Sequence, residues 1–177
     1  DVVAMIAGLV HGGDAAAGFM TSGGTESLLL AVLAAREHGR KERGIDRPEM
    51  VLPASAHAAF EKAAHYFGVR SVRVPVRDDY RADVAASAKA ITPNTVLVVG
   101  SAPQYRQGVI DPIEPLAELA VSAGALCHVD ACMGGFVLPF AEMLERDVPP
   151  WDFRVDGVDS ISADIHKLGY APKGVSV

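Results

Sequence analysis

Apolar residues along this chain fall into two kinds of run, and the two kinds alternate. Short continuous runs sit at residues 49–53 (EMVLP), 95–100 (TVLVVG) and 125–129, and residues 158–163 form a strand-like run. A continuous apolar run bounded by turn residues reads as a strand covered on both faces. Residues 71–76 instead alternate apolar and polar, which predicts a strand with one face open. Between these lie segments with helical spacing: residues 1–10, 25–40, 55–67, 83–91 and 115–123. Gly68 is a natural stop for the third, and Pro115 suits the first turn of the last. In the long second helix Glu26 lies in the first turn and Arg36, His38 and Arg40 near the end, which suits the helix dipole. Residues 101–112 read as a loop, and residues 131–150 as loop and broken helix. Strand and helix in alternation, with short connections, predict an α/β fold: a mostly parallel sheet with helices on both faces.

Length and composition narrow the picture. The 177 residues suffice for one domain with a sizeable core, and half of them are hydrophobic. The net charge of −6 argues against a broad basic surface for nucleic acid. No apolar run is long enough to span a membrane, and no signal pattern opens the chain. The chain begins at Asp1 and stops at Val177 inside what reads as a new strand, so a piece of a longer protein is expected. Cys127 and Cys132 do not make a zinc pattern and read as buried free thiols of a reducing, cytoplasmic setting. No metal site is expected.

In a parallel sheet, ligands bind beyond the carboxyl ends of the strands. Several marked residues fall there. Asp130 ends one strand. Asp164, His166 and Lys167 follow another, in SISADIHKLGYAPKG. Residues 101–105 follow a third, and His57 opens a helix after a fourth. A lysine on a short loop at a strand end can form a Schiff base with a carbonyl if burial or a neighbouring cation lowers its pKa. Gly23-Gly24-Thr25 begins the longest helix, where glycines allow close approach and free N–H groups favour a phosphate. Read alone, it is an ordinary Gly-rich N-cap. Asp130 could pair with a protonated ring nitrogen. At roughly 4 Å and an effective dielectric of about 20 that is worth about 4 kcal/mol before desolvation. It could equally cap the next turn. His57 alone reads as a capping residue, and Tyr105 alone as a loop aromatic packed on its neighbours. His128, two residues before Asp130, is expected to point to the opposite face of its strand and is given no catalytic role.

TSGGTES, SAHAAFEKAAHYFG, GSAPQYRQG, HVDACMGGF and SISADIHKLGYAPKG occur in that order and cover essentially the whole chain. Together they resemble the pyridoxal-phosphate-dependent group II decarboxylase superfamily, and within it most closely the sphingosine-1-phosphate lyases. The resemblance implies the large domain of fold type I, here partial, without its amino-terminal segment and small carboxyl-terminal domain. It implies pyridoxal 5'-phosphate as cofactor and Lys167 as the Schiff-base lysine. Gly23, Gly24, Thr25 and His166 would bind the phosphate, and His57 would stack on the ring. Asp130 would partner the ring nitrogen, with Cys132 close to the other face of the ring. Tyr105 would assist proton transfer. Asp164, by its position alone, reads as a structural residue that orients the Lys167 loop. The implied partners are a small-molecule amine, a phosphorylated sphingoid base, and a second copy of the chain in a homodimer with a shared active site. The implied reaction cleaves the substrate to a long-chain aldehyde and phosphoethanolamine. An amino-acid α-decarboxylase, with Arg106 as a candidate for the substrate carboxylate, is the alternative within the superfamily. A non-catalytic dimerisation domain is the alternative of another class.

Overall fold

The computed structural model describes all residues, Asp1–Val177. In chain order the elements are α1 (Val2–Leu9), α2 (Gly24–Arg43), β1 (Glu49–Pro53), α3 (Ala59–Phe67), β2 (Arg70–Val74), α4 (Val84–Ala90), β3 (Thr95–Ser101), α5 (Ile113–Ala123) and β4 (Leu126–Asp130). A 3₁₀ turn (Gly134–Phe136), α6 (Leu138–Met143) and β5 (Ser160–Ser162) follow. The five strands form one sheet in the order β2-β1-β3-β4-β5, and every neighbouring pair is parallel. Parallel pairing requires crossovers, and the helices between strands supply them.

The sheet divides two apolar clusters. On one face Leu28 and Val32 of α2 and Phe60 of α3 pack on Met50, Leu52, Leu97 and Val99. On the other, Ile113, Leu116 and Ala120 of α5 pack on Val98, Cys127 and Val129, with Trp151 fully enclosed. β1 and β3 are buried along their whole length, as their continuous apolar runs predict. β2 is an edge strand with mixed exposure, in accord with its alternating sequence.

Several boundaries differ from expectation. α2 runs past Arg40 to Arg43 and stops at Gly44 in the left-handed conformation. Its length is set by tertiary anchoring: the Arg43 guanidinium donates to the carbonyls of Thr95, Gly124 and Pro93. α3 begins at Ala59, because residues 54–57 form a turn in which the N–H of Ala56 bonds to Pro53 and that of Ala54 to Val74. β5 is only three residues long, since Ala163 already pairs with Val177. That pairing is antiparallel, with N–H···O bonds of 2.9 Å in both directions. Thr21 and Ser176 make a second antiparallel bridge. The Thr21, Ser27 and Ser176 hydroxyls join in a buried row at 2.7 and 2.9 Å, tying the approach to α2 to the segment beyond Lys167.

His128 does not point away from Asp130. Side chains alternate along a strand, so residues two apart share a face. Cys127 and Val129 face the α5 cluster, while His128 packs edge-on against Phe60 of α3 on the Asp130 side, with ring centroids 6.2 Å apart.

Candidate active site

Beyond the carboxyl ends of β4 and β5 lies a polar cleft of about 350 Å³. The start of α2 forms one wall, the turn before α3 a second, and the loop after β5 the third. Gly23, Gly24, Thr25, His57, Asp130, Cys132, His166 and Lys167 all line it. Asp164 and Lys173 line it too.

The α2 wall is shaped for an anion. Gly23 adopts a φ of 147°, and the N–H groups of Gly24 and Thr25 bond to no atom of the chain. A 20-residue helix behind them adds the positive end of its dipole. Gly24 admits no side chain: a Cβ there would lie 2.7 Å from both Asp164 carboxylate oxygens and from Cys132 Sγ. The helix start is thereby pressed onto the floor of the cleft. His166 and Lys173 supply further donors from the opposite wall. The His166 ring is fixed by Val175, whose N–H lies 3.1 Å from Nδ1 and whose carbonyl lies 2.7 Å from it.

Two buried carboxylates form the floor. Asp130 Oδ1 accepts the Cys132 N–H at 3.1 Å. Burial pushes the Asp130 carboxyl above its usual range, and the Cys132 hydrogen bonds and the charges of His57 and Lys167 only partly offset this. Asp164 Oδ2 accepts from Lys167 Nζ at 2.7 Å, and Asp164 Oδ1 is buried without a partner. Lys167 does not meet the condition of a lowered pKa. Burial works downward on its ammonium, but the Asp164 hydrogen bond and the charges of Asp164 and Asp130 outweigh it, and the pKa is raised. The chain thus holds this amine protonated. Asp164 is a direct partner of the amine as well as part of its loop.

His57 serves twice. Its Nδ1 accepts the Ala59 N–H at 3.1 Å, which caps α3, and its ring forms the wall shared with a second cleft. Tyr105 lies in that second cleft, 72% exposed, with Arg106 and Tyr80. The structure places Tyr105 beside the Lys167 cleft and not within it. Its loop leaves β3 two strands away from β5 and reaches the site only at the His57 wall. Lys173 is a cleft cation to which the sequence gives no role. Its signal is the Gly and Pro bracket of residues 169–174, which folds the chain back on itself six residues after Lys167.

The pyridoxal-dependent decarboxylase conserved domain matches residues 1–177. Among curated proteins, the sphingosine-1-phosphate lyase of Arabidopsis thaliana is 53% identical over 99% of this chain and 33% of its own length. Sphingosine-1-phosphate lyase 1 of Rattus norvegicus is 53% identical over 100% of this chain and 31% of its own. The chain therefore spans about a third of the length of the curated relatives it matches. Among solved structures, the sphingosine-1-phosphate lyase of Burkholderia pseudomallei superposes with a TM-score of 0.94 at 49% identity, over 99% of this chain and 42% of that one. A glutamate decarboxylase of Lactobacillus brevis superposes at 0.84 with 29% identity, over 99% and 42%. The whole-length match and the conserved architecture lead to one conclusion: this chain belongs to the pyridoxal-dependent decarboxylase family.

Proposed function

We propose that the protein is a pyridoxal-phosphate-dependent carbon–carbon lyase that cleaves phosphorylated sphingoid bases to a long-chain aldehyde and phosphoethanolamine. One observation carries the reading: an amine, a poorly partnered carboxylate and an anion-shaped helix start line one cleft, in a chain about half identical to lyases throughout.

The donor set fits pyridoxal phosphate. The free N–H groups of Gly24 and Thr25, with His166 and Lys173, would hold its phosphate. Asp130 would hold the proton of its ring nitrogen, and burial makes the carboxylate a willing proton acceptor. His57 would cover one face of the ring and Cys132 the other. When bound, the cofactor supplies an electron sink for the bond being broken. In the substrate the C2–C3 bond breaks, the C3 hydroxyl gives up its proton to become the aldehyde carbonyl, and C2 gains a proton. Lys167, charged by its contact with Asp164, is a proton donor for C2. Tyr105, in the adjoining cleft that shares the His57 wall, is the second candidate proton carrier of this reading. A homodimer is supported by the apolar Val137, Phe140, Met143 and Leu144 exposed on and around α6. The two unpaired cysteines support a reducing compartment such as the cytoplasm, and no helix is long and apolar enough to cross a membrane.

The test is incubation of the cofactor-loaded protein with a phosphorylated sphingoid base and mass spectrometry of the products. Aldehyde and phosphoethanolamine, both lost in Lys167→Ala, are the expected result. An intact substrate, with carbon dioxide released from an amino acid instead, would overturn the lyase reading in favour of decarboxylation.

A further inference from the structure

The mechanism leaves one buried titratable group in this face of the sheet without a task. His128 is 1% exposed on β4, one strand step behind Asp130. Both its ring nitrogens are engaged: Nδ1 with Ser160 Oγ at 2.8 Å and Nε2 with Ser162 Oγ at 3.3 Å. Ser162 Oγ in turn lies 3.4 Å from Cys132 Sγ, as acceptor of the thiol proton. The four groups make a continuous polar row, Ser160–His128–Ser162–Cys132, running under the cleft and ending beside Asp130. Burial pushes the imidazole down to about 4, so it is neutral at working pH, with one N–H and one lone pair.

A neutral imidazole gives such a row a direction. The Cys132 thiol donates to the Ser162 hydroxyl at 3.4 Å, and the Asp130 carboxylate, which accepts the Cys132 N–H at 3.1 Å, is the neighbouring acceptor. The thiol donates to Ser162 when the Ser162 hydroxyl is itself committed as a donor to His128 Nε2. Nδ1 then carries the ring proton and donates to Ser160. In this arrangement every proton of the row points away from Asp130. If Nε2 is lost as an acceptor, the Ser162 hydroxyl turns to the sulfur and the thiol proton turns to the carboxylate. A carboxylate that already accepts a thiol proton is a weaker partner for a cofactor ring nitrogen.

Resting on the cofactor assignment above, we infer that His128 is a positioning residue: through Ser162 it aims the Cys132 thiol away from Asp130 and keeps that carboxylate free to hold the ring-nitrogen proton. Other charges also face Asp130. His57 faces it from the turn before α3, Lys167 and Asp164 from the loop after β5, and Asp111 from the loop before α5. From α2, Gly24 packs against the sulfur and Glu26 lines the same cleft, as do His166 and Lys173. None of these groups changes in the variants below, so a shift between variants reports the thiol.

The experiment uses the protein loaded with pyridoxal phosphate labelled with ¹⁵N in the ring, and follows the ring-nitrogen chemical shift against pH. His128→Leu and Ser162→Ala should each lower the midpoint of ring deprotonation by a similar amount, about threefold to tenfold in proton affinity. The double variant should shift it no further than either alone, because both changes cut one row. His128→Gln, which restores an acceptor near the Nε2 position, should recover most of the shift. Ser162→Ala keeps the large side chain of the floor, so it tests the row even where His128→Leu fails to fold. An unchanged midpoint in folded Ser162→Ala, additive single effects, or a His128→Gln protein that behaves like His128→Leu would overturn the inference. Failure of the unaltered protein to take up cofactor would overturn the cofactor assignment and this inference together. Uptake with an unmoved midpoint overturns this inference alone.

Discussion

Two buried carboxylate sites in this fold follow opposite rules. Asp152, beneath α1, is fully buried and fully satisfied by its own chain. It accepts from Arg154 Nε, Nη2 and backbone N–H at 2.8, 2.8 and 3.1 Å, and pairs with His11 Nδ1 at 2.8 Å. Burial pushes its carboxyl up, but these bonds outweigh it and the pKa falls below the usual range. Asp130 and Asp164 are also buried, yet Asp130 keeps one backbone donor, at 3.1 Å, and Asp164 Oδ1 has none. There burial wins, and the Asp130 pKa rises. A fold that completes a buried carboxylate itself is using it for stability. A fold that leaves acceptors open beside an anion-shaped helix start is keeping them for a ligand.

The contrast can be broken from either side. The largest effect belongs to Asp130→Asn in the cofactor-loaded protein. Product formation should fall on the order of 10²- to 10³-fold, the usual cost of one preorganised electrostatic partner. Mass spectrometry of the products checks it, and a variant with near-normal turnover would remove Asp130 from the mechanism. Next is Asp152→Ala, which empties a buried position and takes from the half-exposed Arg154 and His11 the partner they share. It should cost about 2 kcal/mol of stability in chemical denaturation while leaving cofactor affinity unchanged. Gly24→Ala comes third. Its Cβ must displace Asp164 or Cys132, an overpacking of about 1–3 kcal/mol, read as cofactor affinity weakened tenfold or more by titration.

The smallest effects are pH-dependent and differ in sign. The Asp152 pKa is depressed in the fold, so its contribution is present above the unfolded value near 3.8 and is lost as pH falls through the lower folded value. Asp130 has a raised pKa, so its charge works against the cofactor-free fold at neutral pH, and that penalty disappears on acidification. Asp130→Asn should therefore stabilise the cofactor-free protein at pH 7 by about 1 kcal/mol, as substitutions at strained active sites commonly do. Denaturation at pH 7 and pH 4 checks the Asp130 sign, and a further measurement well below pH 3.8 checks that of Asp152.

Much of this is legible in the residue order. The strand runs at residues 49–53 and 95–100 appear where expected, because a continuous apolar run bounded by turns has few other solutions. Gly68 ends α3, and Asp83 caps α4 through the Ala86 N–H, both by local chemistry. The cleft residues are legible as a set because a parallel sheet gathers its strand ends along one edge. Their individual states are not. Tyr105 has a motif context as suggestive as that of His57, yet it lies in the next cleft. Lys173 lines the cleft because the turn at residues 169–174 folds back. His128 faces the site by the two-residue period of a strand, which places it with Asp130 and not opposite.

By itself, then, the sequence determined the alternation of strands and helices, the residue types delivered to the strand ends, and the family to which the chain belongs. These are carried by periodicity, turn residues and motifs within a few positions of each other. The tertiary structure alone decided which carboxylates are satisfied, that Lys167 is held as an ammonium, and which groups join in the row under the cleft. Those depend on desolvation and on hydrogen bonds between distant residues, as between His11 and Asp152 141 positions apart and between Ser27 and Ser176 149 apart. The free energy of a buried charge is set by the groups that surround it in space, and no local pattern records them.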